Sequence, residues 1–267
     1  MSAAVLCVGR LGFGAESTPL DQGYRQMYNL QFSEAHQTFQ AWEKQRPADP
    51  LGPVSDAAAY LFSEFDRLHI LEAEFFVQDS SFHSHRKLIP DPAVRAGFEG
   101  ALARTQQLAD RALAQSPQDP EALFANVLRL GLHADYEALI EKKYVASLSE
   151  MKTSRALAQQ LVAAHPGYYD AYLAIGVENY LLSQRFAPVR WILRMNGAET
   201  DKTEGLKNLR LTAEKGRYLQ PYARLLLAVA ALRDEDRVQA ASILRDLARQ
   251  FPKNRLYQQE LLKISKS

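Results

Sequence analysis

The chain has 267 residues, of which 47% are hydrophobic and 24% charged, enough apolar material for a sizeable core. Its 32 Lys and Arg residues nearly balance 31 Asp and Glu residues, giving a formal charge of +1, so no global field draws it to nucleic acid. A single cysteine, Cys7, excludes an intrachain disulfide framework and any metal site built from several cysteines.

The first 16 residues form a tail that is apolar from Ala3 to Ala15, apart from Arg10. One interpretation is a truncated export signal peptide, which would make the protein exported or periplasmic. The other is a disordered or helix-packed tail, in which case the protein would be cytoplasmic. Residues 17–267 are predicted to form a single domain.

The segment GYRQMYNLQFSEAHQTFQAWEKQRP places Gly23, Ala35, Phe39 and Pro47 at steps of 12, 4 and 8 residues. In an antiparallel helix pair, small residues at such positions let neighbouring helices approach closely. We expect Gly23 and Ala35 to make those contacts, Phe39 to fill the gap between neighbouring pairs, and Pro47 to end the second helix.

A long apolar stripe follows in PVSDAAAYLFSEFDRLHILEAEFF, residues 53–76, and predicts one long helix. Similar spacing predicts helices at about 93–116, 120–140, 147–164, 169–184, 203–217, 221–234 and 236–250. No run of alternating β-branched residues stands out, so the predicted class is all-α.

Proline-containing connectors separate these helices: RPADPLGP, SPQDPEA, HPGYYDA and FPKNRLY. A proline just past a helix end cannot continue that helix, and Asp119 before Pro120 is typical of an N-cap with proline at the first helical position. The pattern predicts a series of helix, proline turn, helix units, as in a solenoid.

The offsets of the first segment recur at Ala228, Ala240, Leu244 and Pro252. Both copies resemble the tetratricopeptide repeat (TPR), in which Gly or Ala, then Ala, then an aromatic residue or Leu, then Pro occupy these places. Gly176 fits the small-residue position of a degenerate copy, whereas Val127 departs from it. The resemblance implies a TPR-like right-handed superhelix of about four antiparallel helix pairs, with one long extra helix and irregular insertions.

A second resemblance covers about 40 residues around NYLLSQRFAPVRWILRMNGAETDKTEGLKNLR. Pro188, Gly197, Asp201 and Gly205-Leu206 after a Leu-rich helix look like the central signature of the eukaryotic inclusion body clearance proteins. That family is a helical repeat group without established enzymatic activity.

Two histidine clusters are candidate metal sites. His83 and His85 near Asp79 could share an ion, but a stable site needs three or four converging ligands, so a solvated loop is the favoured interpretation. His69 and Glu72 reverse the Glu-to-His order of di-iron bundles and lack a second copy. Without a phosphate loop, nucleophile elbow or dinucleotide fingerprint, we predict no catalytic residue, cofactor or metal, although an uncharacterised enzyme or metal-binding helical protein stays as an alternative.

The 185–195 patch joins three arginines to Phe186, Trp191, Ile192, Leu193 and Met195. It could touch an anionic membrane surface, which gives a second functional hypothesis. The favoured interpretation is that its apolar residues close the core where the repeat register breaks.

Tyrosines cluster on the predicted first helices of the pairs, which line the concave groove of a TPR solenoid. Tyrosine offers contact area and a polar tip at low entropic cost. We therefore predict a noncatalytic scaffold that binds a protein or peptide, with neither nucleic acid nor an identified small-molecule substrate as partner. Tyr24 occupies the place of the asparagine in the chaperone-tail clamp, so that recognition mode is not expected. The predicted partner-binding residues are Tyr24, Tyr28, Tyr172, Asn179 and Tyr180.

Overall fold

The described part of the chain folds into helices. The computed structural model describes residues 17–71, 88–183 and 201–266, with side chains for all of these except 178–183 and 266. No strand occurs in these ranges, which confirms the all-α prediction. The helices are α1 (Pro19–Tyr28), α2 (Phe32–Gln45), α3 (Leu51–Arg67), α4 (Pro92–Gln115), α5 (Pro120–Tyr136), α6 (Tyr144–Ala164), α7 (Tyr172–Ser183), α8 (Lys202–Lys215), α9 (Gln220–Arg233), α10 (Arg237–Gln250) and α11 (Arg255–Lys266). A π-helical turn (Glu137–Glu141) joins α5 to α6, and a 3₁₀ turn (Tyr169–Ala171) precedes α7.

Each helix packs mainly on the helices before and after it in the chain, and α3 also packs on α1 and α5. The pair α5 and α6 shows the antiparallel arrangement. The Ser154 hydroxyl donates to the Val127 carbonyl at 2.9 Å, while His133 pairs with Glu150 further along. The pairs α1–α2 and α5–α6 therefore form antiparallel hairpins, and α3 contacts their first helices, α1 and α5.

Gly23 is required where α1 crosses α2. A Cβ atom added to Gly23 would lie 2.2 Å from Cε1 of Phe39, whose side chain is fully buried. Ala35 is also fully buried, as predicted. Phe39, however, packs against α1 of its own hairpin, because the absence of a side chain at Gly23 opens a slot for its ring. The second copy behaves similarly, with Ala228, Ala240 and Leu244 all in the core.

Four proline turns share one conformation, as the connectors predicted. In each, the residue before the proline accepts a hydrogen bond from the amide two residues after the proline, the bond of a β-turn with proline at its second position. The donor and acceptor pairs, 3.0 or 3.1 Å apart, are Asp49 to Arg46, Asp119 to Ser116, Tyr168 to His165 and Asn254 to Phe251. Asp119 also caps α5 by accepting the amide of Ala122 at 2.8 Å.

The prediction of one helix over residues 53–76 was wrong, because α3 ends at Arg67. His69 adopts the left-handed conformation (φ 60°), and the Ile70 amide turns back to donate to the Phe65 carbonyl at 2.7 Å. This is the hydrogen-bond pattern of a Schellman motif. Ile70 is fully buried. Packing of its side chain therefore favours a helix that ends at Arg67 over one that continues to residue 76. α1 and α9 end in the same way at Leu30 and Glu235.

The first hairpin touches the last third of the chain. The Tyr28 hydroxyl donates to the Tyr218 carbonyl at 3.0 Å, and the Asn254 side-chain amide donates to the Tyr28 carbonyl at 2.9 Å. Arg217 binds both carboxylate oxygens of Asp21, at 2.8 and 2.7 Å. Residues of α1, α3, α5, α7 and α9 surround a common interior.

Candidate functional site

An apolar cavity of about 90 Å³ lies in that common interior. Its walls come mainly from the first helices of the hairpins, because these present their apolar faces to one another. The lining side chains include Tyr24, Met27, Tyr28, Phe62, Val127, Leu128, Leu132, Met151, Leu173, Val177 and Tyr222. A cavity of this size accommodates one side chain or a small ligand but not a large cofactor.

Asp135 places a carboxylate in the wall of this cavity. No hydrogen bond or ion pair reaches it from the part of the chain that the structure describes. Burial raises the pKa of Asp135 to about 7, and burial is the whole cause of that shift. An acidic group in apolar walls without a partner is unusual and is typical of a functional site.

Tyr222 of α9 lies on the same cavity. Burial first, and then the charge of Asp135, raise the pKa of Tyr222 well above its usual range, so its hydroxyl stays protonated. Its ring meets the ring of Phe62 edge to face, with centroids 5.5 Å apart. The cavity therefore offers aromatic walls, the Tyr222 hydroxyl and two carboxylates, Asp135 and Asp170.

Asp170 is the contrasting acidic residue of this interior. Its carboxylate accepts the backbone amides of Arg217, Tyr218 and Leu219, with the shortest bonds at 2.9, 3.1 and 2.8 Å. Burial raises the pKa of Asp170, although these hydrogen bonds oppose the shift. Asp170 thus holds the segment that begins α9 and positions Tyr222 against the cavity, a structural role.

The structure brings two of the predicted partner-binding residues to the cavity. Tyr24 and Tyr28 line it, but only 4% and 6% of their surfaces are exposed. Tyr24 stacks on Tyr218 with ring centroids 4.9 Å apart, and the Tyr28 hydroxyl donates a hydrogen bond to the Tyr218 carbonyl. These rings therefore form part of the cavity wall, with little of their surface open to solvent.

The other predicted partner-binding residues either do not line the cavity or have side chains outside the described residues. Tyr172 is half-buried, donates to the Pro166 carbonyl at 3.4 Å, and is not among the residues that line the cavity. Asn179 and Tyr180 belong to α7, but their side chains lie outside the described residues. His69, a candidate metal ligand in the sequence, lies just after α3 and adopts the left-handed conformation.

Several sequence predictions concern segments outside the described residues: the tail at 1–16, Asp79, His83, His85 and Glu72, and the 185–195 patch. The membrane hypothesis for that patch stays a prediction. In the described parts of the chain, no helix combines the length and the apolar character that crossing a bilayer demands.

Sequence analysis missed Asp135 and Tyr222. The signal for Asp135 was available, because it follows Val127, Leu128, Gly131 and Leu132 at the spacing of one helix face. An acidic residue on the apolar stripe of a predicted first helix marks a carboxylate directed into the interior. No comparable local signal identifies Tyr222, since its neighbours across the cavity are distant in sequence.

Comparison with protein-family models, curated proteins and solved structures yields no match to this chain. The resemblances to the TPR and to the inclusion body clearance family therefore stay predictions. The function of the protein has to be inferred from the geometry and chemistry of its cavity.

Proposed function

We propose that this protein is a noncatalytic TPR-like scaffold that binds a protein or peptide partner through the cavity on its inner side. The partner inserts one amine-bearing side chain, a lysine, whose ammonium group meets Asp135. The single observation that carries the proposal is the carboxylate of Asp135, which has no partner in the described protein and faces an apolar cavity.

The TPR-like part of the proposal is supported by the packing of both repeat copies. Gly23, Ala35, Ala228 and Ala240 are buried, and four proline turns with the same backbone hydrogen bond connect consecutive helices. A stack of this kind, with right-handed superhelical curvature, would bring the first helices to its concave side. The cavity lies among those first helices.

The chemistry of the cavity favours lysine over other side chains. A lysine has a long apolar stem and a compact charged end, so the stem would contact Met27, Leu132 and Val177 while the ammonium reaches Asp135. An ion pair formed there would offset the cost of ionising a partly buried carboxylate in apolar surroundings. A purely apolar side chain would leave that cost in place.

n-Butylamine tests this proposal because it reproduces the end of a lysine side chain. At about pH 8 Asp135 is ionised and the amine is protonated, so we expect butylamine to bind with a Kd on the order of 1–10 mM and to raise Tm. n-Butanol, of the same shape but uncharged, serves as the matched ligand. Isothermal titration calorimetry and thermal unfolding measure both.

Asp135→Asn is the matched protein variant, since it keeps the shape and removes the charge. We expect this variant to lose the response to butylamine. Equal binding of butylamine and butanol, or an unchanged response in Asp135→Asn, would contradict the proposal. So would the absence of a Tm shift in the unaltered protein at about 50 mM butylamine, a concentration well above the expected Kd.

A further inference from the structure

Three metal-ligating side chains meet where α5 ends and α6 passes beside it. His133 comes from the last turn of α5, Glu137 from the first residue of the π-helical turn, and Glu150 from α6. One ligand atom of each lies within 4.8 Å of the others. His133 Nδ1 is 2.7 Å from Oε2 of Glu150. Within the described ranges, this is the group in which three such side chains converge.

Glu137 gives an independent sign that a cation belongs there. Only 8% of Glu137 is exposed, and its Oε2 atom is shielded from solvent with no hydrogen-bond partner in the described protein. A carboxylate oxygen that loses water without gaining a hydrogen-bond donor destabilises the fold. A bound metal ion would supply the missing partner.

The backbone places Glu137 toward the cluster. His133 and Glu137 are four residues apart and so share one side of the helix, whereas Asp135, two residues from each, faces the cavity. The π-helical turn then closes with the Lys143 amide donating to the Glu137 carbonyl at 2.8 Å, and Lys142 adopts a left-handed conformation (φ 62°). Single π-helical turns occur often at functional sites.

We propose that His133, Glu137 and Glu150 form a binding site for one divalent transition-metal ion, with Zn²⁺ as the expected occupant. An imidazole nitrogen with two carboxylate oxygens favours such ions over Ca²⁺ and Mg²⁺, which prefer oxygen ligands alone. Three protein ligands leave one position of a tetrahedral ion for water. The side chains of His133 and Glu150 are 37% and 27% exposed, which gives the ion a path from solvent.

Two nearby cations lower the expected affinity. The charge of Glu150 acts on the half-buried guanidinium of Arg129, and the charge of Glu137 acts on Lys143. Positive charge beside the ligands opposes binding of a further cation. We therefore expect a dissociation constant on the order of 1 μM, weaker than that of structural zinc sites.

The test is a titration of the full, untagged chain with Zn²⁺ by isothermal titration calorimetry, with Co²⁺ absorption spectra to report the coordination geometry. We expect one ion per chain. Glu137→Gln and Glu150→Gln should each weaken binding at least tenfold, and His133→Ala should remove it. Circular dichroism and Tm of each variant show whether it is folded, and Glu150→Gln tests the site even if a buried change at Glu137 disturbs packing.

His36 provides the matched control. His36 Nδ1 lies 2.5 Å from Oδ1 of Asp56, the same type of histidine–carboxylate pair, but no third ligand joins it among the described residues. His36→Ala should leave Zn²⁺ binding unchanged. No binding at about 100 μM Zn²⁺, well above the expected Kd, would overturn the proposal, as would binding that survives Glu137→Gln and Glu150→Gln or that is lost in His36→Ala. This site is separate from the Asp135 cavity, so the butylamine experiment can fail without affecting it.

Discussion

The hairpins α1–α2 and α5–α6 are built on the same antiparallel plan but treat their polar groups differently. In α1–α2, Thr18 and Asp21 cap the first helix reciprocally, and the Thr38 hydroxyl donates to Oε1 of Gln26 at 2.8 Å. In α5–α6, the Tyr136 hydroxyl and Oε2 of Glu137 are buried without a hydrogen-bond partner in the described protein. The neighbouring Asp135, which is partly exposed, also has no hydrogen bond from the described residues.

The two hairpins thus differ in how their polar groups are satisfied, although both contribute walls to the cavity. Buried polar groups normally find partners, because leaving them unsatisfied costs stability. The first hairpin follows this rule and relies on close packing of Gly23 and Phe39. The α5–α6 hairpin follows this rule less closely. Asp135, on the side facing the cavity, and Oε2 of Glu137, on the side of the metal-ligating cluster, have no hydrogen-bond partner in the described protein.

Gly23→Ala should have the largest effect on stability. Its Cβ would lie 2.2 Å from a ring atom of the fully buried Phe39, so we expect a loss of about 3 kcal/mol. Urea denaturation measures this loss in the free energy of unfolding. Gly100→Ala is the matched control, because a Cβ there meets nothing within 4 Å in α4, and it should gain about 0.5–1 kcal/mol. Equal effects would show that the first hairpin is not closely packed.

Asp135→Asn should stabilise the protein at high pH. The folded pKa of about 7 lies above the unfolded value of 3.8, so the stability associated with Asp135 is complete below pH 3.8 and declines as pH rises to 7. Three pKa units correspond to about 4 kcal/mol at most, and water in the cavity reduces this to about 2 kcal/mol. Denaturation at about pH 8 should show that gain and at about pH 4 almost none. A gain independent of pH would contradict an unpaired, ionised carboxylate.

Arg217→Gln should have the smallest effect. Burial by itself would raise the pKa of Asp21, but hydrogen bonds from Arg217 and Thr18 outweigh it and lower that pKa. The stability from this pair is therefore present above the unfolded pKa and is lost as pH falls through the lowered folded pKa. Because Arg217 is about half exposed, we expect a loss of about 0.5 kcal/mol at neutral pH, decreasing with salt. A loss as large as that of Gly23→Ala would mean that closure onto the last third of the chain depends on this pair.

Much of the fold could be predicted from local pattern. The all-α class, most helix bounds to within about three residues, and the four proline turns depend on interactions between residues close in the chain, so periodicity and proline chemistry indicate them. The buried small residues Gly23, Ala35 and Ala240 were also predicted, since a recurring offset marks a recurring contact.

The tertiary structure alone decided the remaining features. α3 ends at Arg67 because Ile70 finds a buried position, and the interior closes because Tyr28 meets Tyr218, which is 190 residues away. The same long-range packing leaves Asp135 in an apolar wall and brings Glu150 beside His133 and Glu137. Local sequence sets which backbone hydrogen bonds form, but the environment of a side chain depends on which distant helices pack around it.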